Sequence, residues 1–272
     1  MDKPCYFNYI ESSATFHGAM QNIMGTRFDI VMLGKNREQS ERIFTALRLE
    51  LQRLNFLLNR FDVESEISRL NRRASSGFVP LSPEIWTIMC DCKQYHERTK
   101  GLFDVTKDDF SKLLFRESDH SVSFASAGIA VDLGGYAKGY ALLRLQKILA
   151  DNNVGQCFVD FGNSSILGIG RHPFGDSWKV SMENPYRLEK AVFEVDLFDR
   201  ALSVSGNKPG YSGHIINPLT KKAEDERKAV CVVCQNPLDA EVLTTTLMIA
   251  GKKEKNDILK HFEIDKVYEY KL

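Results

Sequence analysis

The chain lacks most of the features that would narrow its role at once. Its 272 residues carry no charge excess, because 36 Lys and Arg are matched by 36 Asp and Glu. A nucleic-acid binder needs clustered basic residues, so this balance argues against one. The densest charged run, 221–228, mixes both signs and reads as a solvated loop. No apolar run approaches the roughly 20 residues needed to span a bilayer. The first stretch, Met1 to Ala19, has no basic start followed by an apolar run. No secretory leader is therefore read, and a cytoplasmic protein is expected. The six cysteines are too few to staple a chain of this size with disulfides. Cys231 and Cys234 have metal-like spacing, but they lie in the apolar run 229–234. Residues three apart on a strand point to opposite faces, and no second Cys or His pair accompanies them, so buried thiols are expected rather than zinc. Repeats, low-complexity tracts and linkers are also missing.

What is present is a core-forming sequence, 43% hydrophobic, long enough for one large domain. Arg27 to Leu33 reads as a strand. Ser40 opens a helical pattern through Ile43, Leu47, Leu51, Leu54, Leu58 and Phe61. Ser82-Pro83 is a helix start, with Ser as N-cap and Pro in the first turn. The second half is strand-rich, with candidates at 157–161, 165–169, 178–182, 191–197, 201–205 and 229–234. Turn signals such as Gly162-Asn163 and Asn207-Lys208-Pro209-Gly210 separate them. Helices are expected over 238–250 and near 253–261. The fold class is α+β, a largely antiparallel sheet with packed helices. Residues 1–23 read as an N-terminal extension and 24–272 as a single domain.

Chemistry concentrates at Val131-Asp132-Leu133-Gly134-Gly135-Tyr136-Ala137-Lys138-Gly139-Tyr140. A short apolar strand, 129–133, is expected to run into the glycine pair, followed by a helix carrying Ala141, Leu142, Leu145, Ile148 and Leu149. Glycines at such a turn let a ligand approach the backbone, and a helix start offers N–H groups to an anion. The spacing fits neither the dinucleotide fingerprint nor the Walker loop. From the pattern alone, a phosphate or nucleotide site and a plain tight connection both remain open.

This segment does not stand alone. Met24-Gly25-Thr26, Ser65-Glu66-Ile67-Ser68-Arg69-Leu70-Asn71 and Gly101-Leu102-Phe103-Asp104-Val105-Thr106 precede it. His214-Ile215-Ile216-Asn217-Pro218-Leu219-Thr220 and Glu241-Val242-Leu243-Thr244-Thr245-Thr246-Leu247 follow it. With these segments in this order the chain resembles the ApbE family, the FAD:protein FMN transferases. The resemblance implies an ApbE-like fold and a magnesium-dependent reaction. In it FAD is cleaved, AMP is released, and FMN is attached through a phosphoester to a Ser or Thr hydroxyl of a target protein.

The resemblance also implies roles for residues. Gly135, through its carbonyl, would join Glu241 and Thr245 as ligands of Mg2+. Glu241 and Thr245 are four apart and share a helix face. Met24, Phe61, Leu102, Phe103, Asp104, Asp132 and Lys138 align with FAD contacts. His214 aligns with a histidine near the phosphates and is the candidate base for the acceptor hydroxyl. The chain departs from the family at informative places. The metal-binding acid is Asp in the family and Glu241 here. The His-Ile-Ile-Asp-Pro-Arg-Thr-Gly motif has Asn217, Leu219 and Lys221 in place of its Asp, Arg and Gly. The connection leading to Asp132 is also shorter. Two functions follow as expectations: a flavin transferase with a flavin-accepting partner protein, or a divergent member that binds flavin weakly or not at all and serves as a non-catalytic binding or accessory protein.

Overall fold

A computed structural model describes residues 5–106 and 108–272. Along the chain, β1 (Cys5–Ile10), β2 (Thr15–Ile23) and β3 (Thr26–Leu33) lead into α1 (Arg37–Leu58) and α2 (Glu66–Arg73). Then come β4 (Val79–Pro80), α3 (Pro83–Arg98), β5 (Leu113–Arg116), β6 (Ser121–Phe124) and α4 (Ala137–Asp151). Strands β7 (Cys157–Phe161), β8 (Ser165–Ile169), β9 (Trp178–Asn184), β10 (Arg187–Leu197), β11 (Arg200–Gly206) and β12 (Lys228–Cys234) follow. The chain closes with α5 (Pro237–Ile249), α6 (Lys252–Leu259) and β13 (Lys266–Lys271).

Among the described residues the largest sheet has eight strands in the order β1-β2-β3-β7-β8-β11-β12-β13. Every neighbouring pair in it is antiparallel. The α+β class expected from the sequence is therefore the observed one. Residues 5–23, read as an extension, supply β1 and β2, and β2 is hydrogen-bonded to β3.

Period-two burial divides the sheet into two cores. On β12, Val230, Val232 and Cys234 join the main core under the helices. Cys231 and Val233 point the other way, into a cluster with Trp178, Phe193 and Leu197 that the β9–β10 hairpin covers. The two cysteines thus lie on opposite faces, and burial pushes the thiol of Cys234 up to about 12. Among the described residues no helix is long and apolar enough to cross a membrane.

The helices start where their caps dictate. Asn36 caps α1 and forms a capping box with Gln39, which moves the start ahead of the Ser40 read from periodicity. The helix ends at Leu58, so Phe61 lies in the turn beyond it. Arg53 then ties helices together: Nη2 lies 2.9 Å from Glu84 Oε1 on α3, and Nε lies 2.8 Å from Glu50. Arg144 on α4 reaches the same Glu50 at 3.0 Å, and Tyr140 donates to Glu84 at 2.9 Å. This cross-braced layer holds α4 in place over the sheet.

Candidate active site

The glycine turn hangs from an unusual anchor. Ile129, Val131 and Leu133 are buried at alternate positions, which is the pattern read as a strand. The segment is extended but belongs to no sheet. Its backbone is paired instead with a side chain: Val131 N–H donates to Asn71 Oδ1 at 2.7 Å, and Asn71 Nδ2 donates back to the Val131 carbonyl at 2.9 Å. Asp132 N–H then donates to the Val105 carbonyl at 2.7 Å. The expected strand is thus replaced by an amide from α2 that imitates one, and it satisfies groups that burial would otherwise penalise.

The turn itself is folded by Asp132, whose Oδ1 accepts the Gly134 N–H at 2.9 Å. Arg60 Nε lies 3.6 Å from the other carboxylate oxygen. Tyr136, fully buried at the foot of α4, donates its hydroxyl to Asp91 at 3.2 Å. Burial pushes the Asp91 carboxyl up, opposed by that hydrogen bond. Helix α4 opens without a side-chain cap from any described residue; the Tyr136 and Ala137 N–H groups donate instead to the Leu133 carbonyl at 2.9 and 2.8 Å.

Helix α5 meets α4 at this point. A Cβ on Gly139 would stand 2.6 Å from Glu241 Cβ, so only a glycine lets the helices touch there. That contact sets Lys138 against Glu241, and the Lys138 ammonium is ion-paired with Glu241 Oε1. Glu241 Oε2 accepts from Ser165 at 2.6 Å and from Ser203 at 2.8 Å, both on the sheet below. The carboxylate is 5% exposed. One turn along α5, Thr245 Oγ1 lies 3.4 Å from Ser205 Oγ, which also donates to Thr244 at 3.0 Å. A Cβ on Gly135 would lie 3.6 Å from Thr245 Oγ1. Gly135, Lys138, Glu241 and Thr245, chosen from the sequence, therefore share one corner, where α4, α5 and the turn converge on the sheet.

The donor types in this corner are all oxygen, as a hard cation prefers. The committed state of the carboxylate does not fit one. One Glu241 oxygen is taken by an ammonium and the other by two hydroxyl donors. Among the described residues no group of three His, Cys, Asp or Glu side chains is placed to hold a metal. A magnesium ion here would have a single carboxylate, and it would have to evict Lys138 to reach it.

The remaining expected contacts spread outward. Phe61 is 81% exposed and lies under the Arg60 guanidinium, 4.7 Å from its ring centre. Through Arg60 it adjoins Asp132. Met24 sits in the β2–β3 turn, its N–H donating to Asn55 of α1 at 2.9 Å. Leu102 and Phe103 are buried, with Phe103 edge-on to Tyr95. Asp104 organises its own loop: Oδ1 accepts from the Thr106 N–H at 2.7 Å and hydroxyl at 2.6 Å, and Oδ2 accepts from the Phe110 N–H at 3.0 Å. Asp104 thus caps the turn at Val105-Thr106.

His214 stacks on Tyr211 with ring centres 4.2 Å apart. The loop carrying both is closed by Asn207 Nδ2, which donates to the carbonyls of Glu224 and Glu226 at 3.0 and 2.8 Å. It is pinned to the 101–110 loop through Lys221 Nζ, 3.0 Å from Asp108 Oδ1. Leu219, largely exposed, has its Cδ2 3.5 Å from where a Cβ on Gly101 would lie, so an uncharged aliphatic side chain stands where the family has an arginine.

Sequence reasoning missed Ser165, Ser203, Ser205, Arg60 and Asn71 as parts of this arrangement. One signal was available: Ser203 and Ser205 alternate on an otherwise apolar strand and so face the same side. Asn71 lies in the Ser65–Asn71 segment that carries the resemblance, though with no role read for it, and Arg60 gave no signal, because a polar residue just past a helix end is usually solvated.

Known proteins share this fold. The ApbE family pattern matches residues 24–268. The FAD:protein FMN transferase of Salmonella typhimurium is 21% identical over 278 residues, 87% of this chain and 79% of the relative. That of Chlamydia trachomatis is 25% identical, with 72% of each chain covered. The flavin transferase ApbE from Vibrio cholerae superposes with a TM-score of 0.80 at 21% identity, covering 98% of this chain and 97% of that one. The apbe protein of Thermotoga maritima superposes with a TM-score of 0.77 at 19% identity, covering 96% and 91%. The fold is ApbE-like, and the chain belongs to the ApbE family.

Proposed function

We propose that the chain is a flavin transferase that takes FAD and moves its FMN half to a Ser or Thr hydroxyl of an acceptor protein, releasing AMP. The observation that carries this reading is the convergence of the Gly134–Gly135 turn and the Lys138 ammonium on one corner where α4 begins. These are the groups that bind a diphosphate. Phe61, exposed beside Arg60 and Asp132, offers an aromatic face to a flavin or adenine ring.

In this reading the acceptor oxygen attacks the phosphorus of the FMN half. A new O–P bond forms as the bridging P–O bond to AMP breaks. His214 takes the hydroxyl proton and Lys138 balances charge on the phosphoryl oxygens. The magnesium dependence implied by the resemblance has no support from Glu241, so no step is assigned to an ion.

The test is direct. Purified protein is incubated with FAD, with and without a Thr-containing acceptor domain. AMP is followed by chromatography and covalent flavin by fluorescence in a denaturing gel. AMP matched by a fluorescent acceptor band is expected. If FAD is neither bound nor cleaved, the flavin reading is wrong. The committed Glu241 favours a second reading, a flavin-binding accessory protein, and FAD binding without AMP would select it.

A further inference from the structure

We infer that the Lys138 ammonium occupies the place a divalent cation would take in this corner, so that the chain receives the diphosphate of a dinucleotide without binding such an ion. The diphosphate half of this inference rests on the flavin reading; the cation half does not.

Glu241 reaches the sheet beneath α5. A carboxylate one methylene longer than Asp extends past the edge of α5, and at Glu241 it ends between Ser165 and Ser203 on the sheet. The Glu241 Cβ packs against Gly139 of α4, where an added Cβ would stand 2.6 Å away. Oε2 therefore has its hydrogen-bond partners fixed by the sheet. Oε1 faces Lys138, whose side chain is 22% exposed while that of Glu241 is 6% exposed. The pair is thus buried on the carboxylate side and open on the ammonium side.

An ammonium has three N–H donors. With one directed at Glu241, the others can serve phosphoryl oxygens at the mouth of the corner. The Gly134, Tyr136 and Ala137 N–H groups are already bonded to Asp132 and to the Leu133 carbonyl, so what the corner offers the ligand is the Lys138 ammonium.

Eviction of Lys138 by magnesium is disfavoured on three counts. Magnesium dehydrates reluctantly and wants octahedral oxygen geometry, and here it would find a single carboxylate already fixed by two serines. Thr245, its second expected ligand, is drawn toward Ser205. The displaced ammonium would lose its counterion at a partly buried position, which is costly. The Glu241 substitution and the Lys138 pair are then two parts of one change: a fixed internal cation replaces an exchangeable one.

The test uses the full chain and Mn2+ as a paramagnetic stand-in for magnesium. Mn2+ is titrated in the absence of nucleotide and free ion is read by electron paramagnetic resonance. The wild-type protein is expected to leave the free-ion signal undiminished at micromolar Mn2+. Lys138→Met, which uncovers Oε1, is expected to bind about one ion, and Lys138→Met/Glu241→Gln is expected to lose it again. Circular dichroism melts check that each variant is folded; should Lys138→Met not fold, Glu241→Asp, which shortens the carboxylate away from the serines, takes its place with the same expected gain of one ion. In parallel, FAD affinity is measured by flavin fluorescence in EDTA and in excess magnesium. Equal affinity within about twofold is expected, with a loss of tenfold or more in Lys138→Met. Stoichiometric Mn2+ binding by the wild type that Glu241→Gln abolishes overturns the cation half. FAD affinity that depends on magnesium overturns the diphosphate half. Absence of FAD binding in both buffers overturns the flavin reading and the diphosphate half, while the Mn2+ titration still decides the cation half.

Discussion

Gly139 of α4 and Glu241 of α5 stand so close that a Cβ on the glycine would lie 2.6 Å from the Glu241 Cβ. The same added carbon would lie 2.9 Å from the Pro237 carbonyl oxygen. Backbone cannot yield as a long side chain can, so Gly139→Ala must push α4 and α5 apart. Overpacking of this kind costs about 1–3 kcal/mol. A lowered urea midpoint is expected, with weaker FAD binding than the stability loss alone produces, because Lys138 moves with α4. An unchanged midpoint would show that the helices do not need the glycine.

Asn71 is the second fixed point. It exchanges two hydrogen bonds with Val131, 60 residues away in sequence, and thereby holds the segment that ends in the glycine turn. Asn71→Ala leaves a buried N–H and C=O without their partner, at about 1–3 kcal/mol for each unsatisfied group. Asn71→Asp keeps an acceptor for the Val131 N–H and loses the donor to its carbonyl. Denaturant melts should therefore rank wild type above Asn71→Asp and Asn71→Asp above Asn71→Ala at neutral pH. Equal stability for all three would mean the segment is held by its apolar side chains alone.

These two points show what the sequence makes legible. Strands β7, β8, β11 and β12 are short apolar runs between turn residues, so burial on the inner sheet marks them. Helix α5 is apolar almost all round because sheet and α4 enclose it. The segment 129–133 carries the same apolar signal without being a strand, since its ladder partner is a side chain distant in sequence. Strands β1 and β13, at the ends of the sheet order, escape for the opposite reason. Exposure lets Asn8 on β1 and Lys266 and Glu269 on β13 interrupt the apolar pattern, and it leaves Tyr6 and Phe7 outside the core. Of the corner residues, Gly135, Lys138, Glu241 and Thr245 were legible through motif resemblance. The serines that determine the direction of Glu241 were not, because their role exists only once β8 and β11 pass under α5.

The helix brace makes a prediction for acid. Hydrogen bonding to Arg53 holds the carboxyls of Glu50 and Glu84 below the usual carboxylate range, and burial opposes it. A carboxyl whose folded pKa is depressed adds stability above its unfolded value and loses it as the pH falls through the folded value. Stability should therefore drop as the pH is lowered from about 5 toward 3, through the ordinary Glu pKa and below it. Glu84→Gln removes one titrating group from the brace, so its urea midpoint should be lower than wild type at pH 7 and change less between these two pH values. A parallel pH profile for the variant would place the acid sensitivity elsewhere.

Phe61 separates binding from folding. Its ring is 81% exposed and touches the Arg60 guanidinium from solvent. An exposed substitution of this kind changes stability by no more than about 0.5 kcal/mol, so Phe61→Ala should melt with the wild type. Stacking of a flat heterocycle on an aromatic side chain is worth about 1–3 kcal/mol. If FAD enters beside Asp132, the alanine variant should lose about tenfold in FAD affinity, while Phe61→Trp should retain it. Arg60 discriminates further. Arg60→Met removes the cation beside Asp132 and Phe61, so it should weaken FAD in a salt-dependent way, whereas the loss in Phe61→Ala should persist at high salt. Phe61→Ala with wild-type affinity would move the flavin away from this turn and leave only the phosphate corner of the site in place.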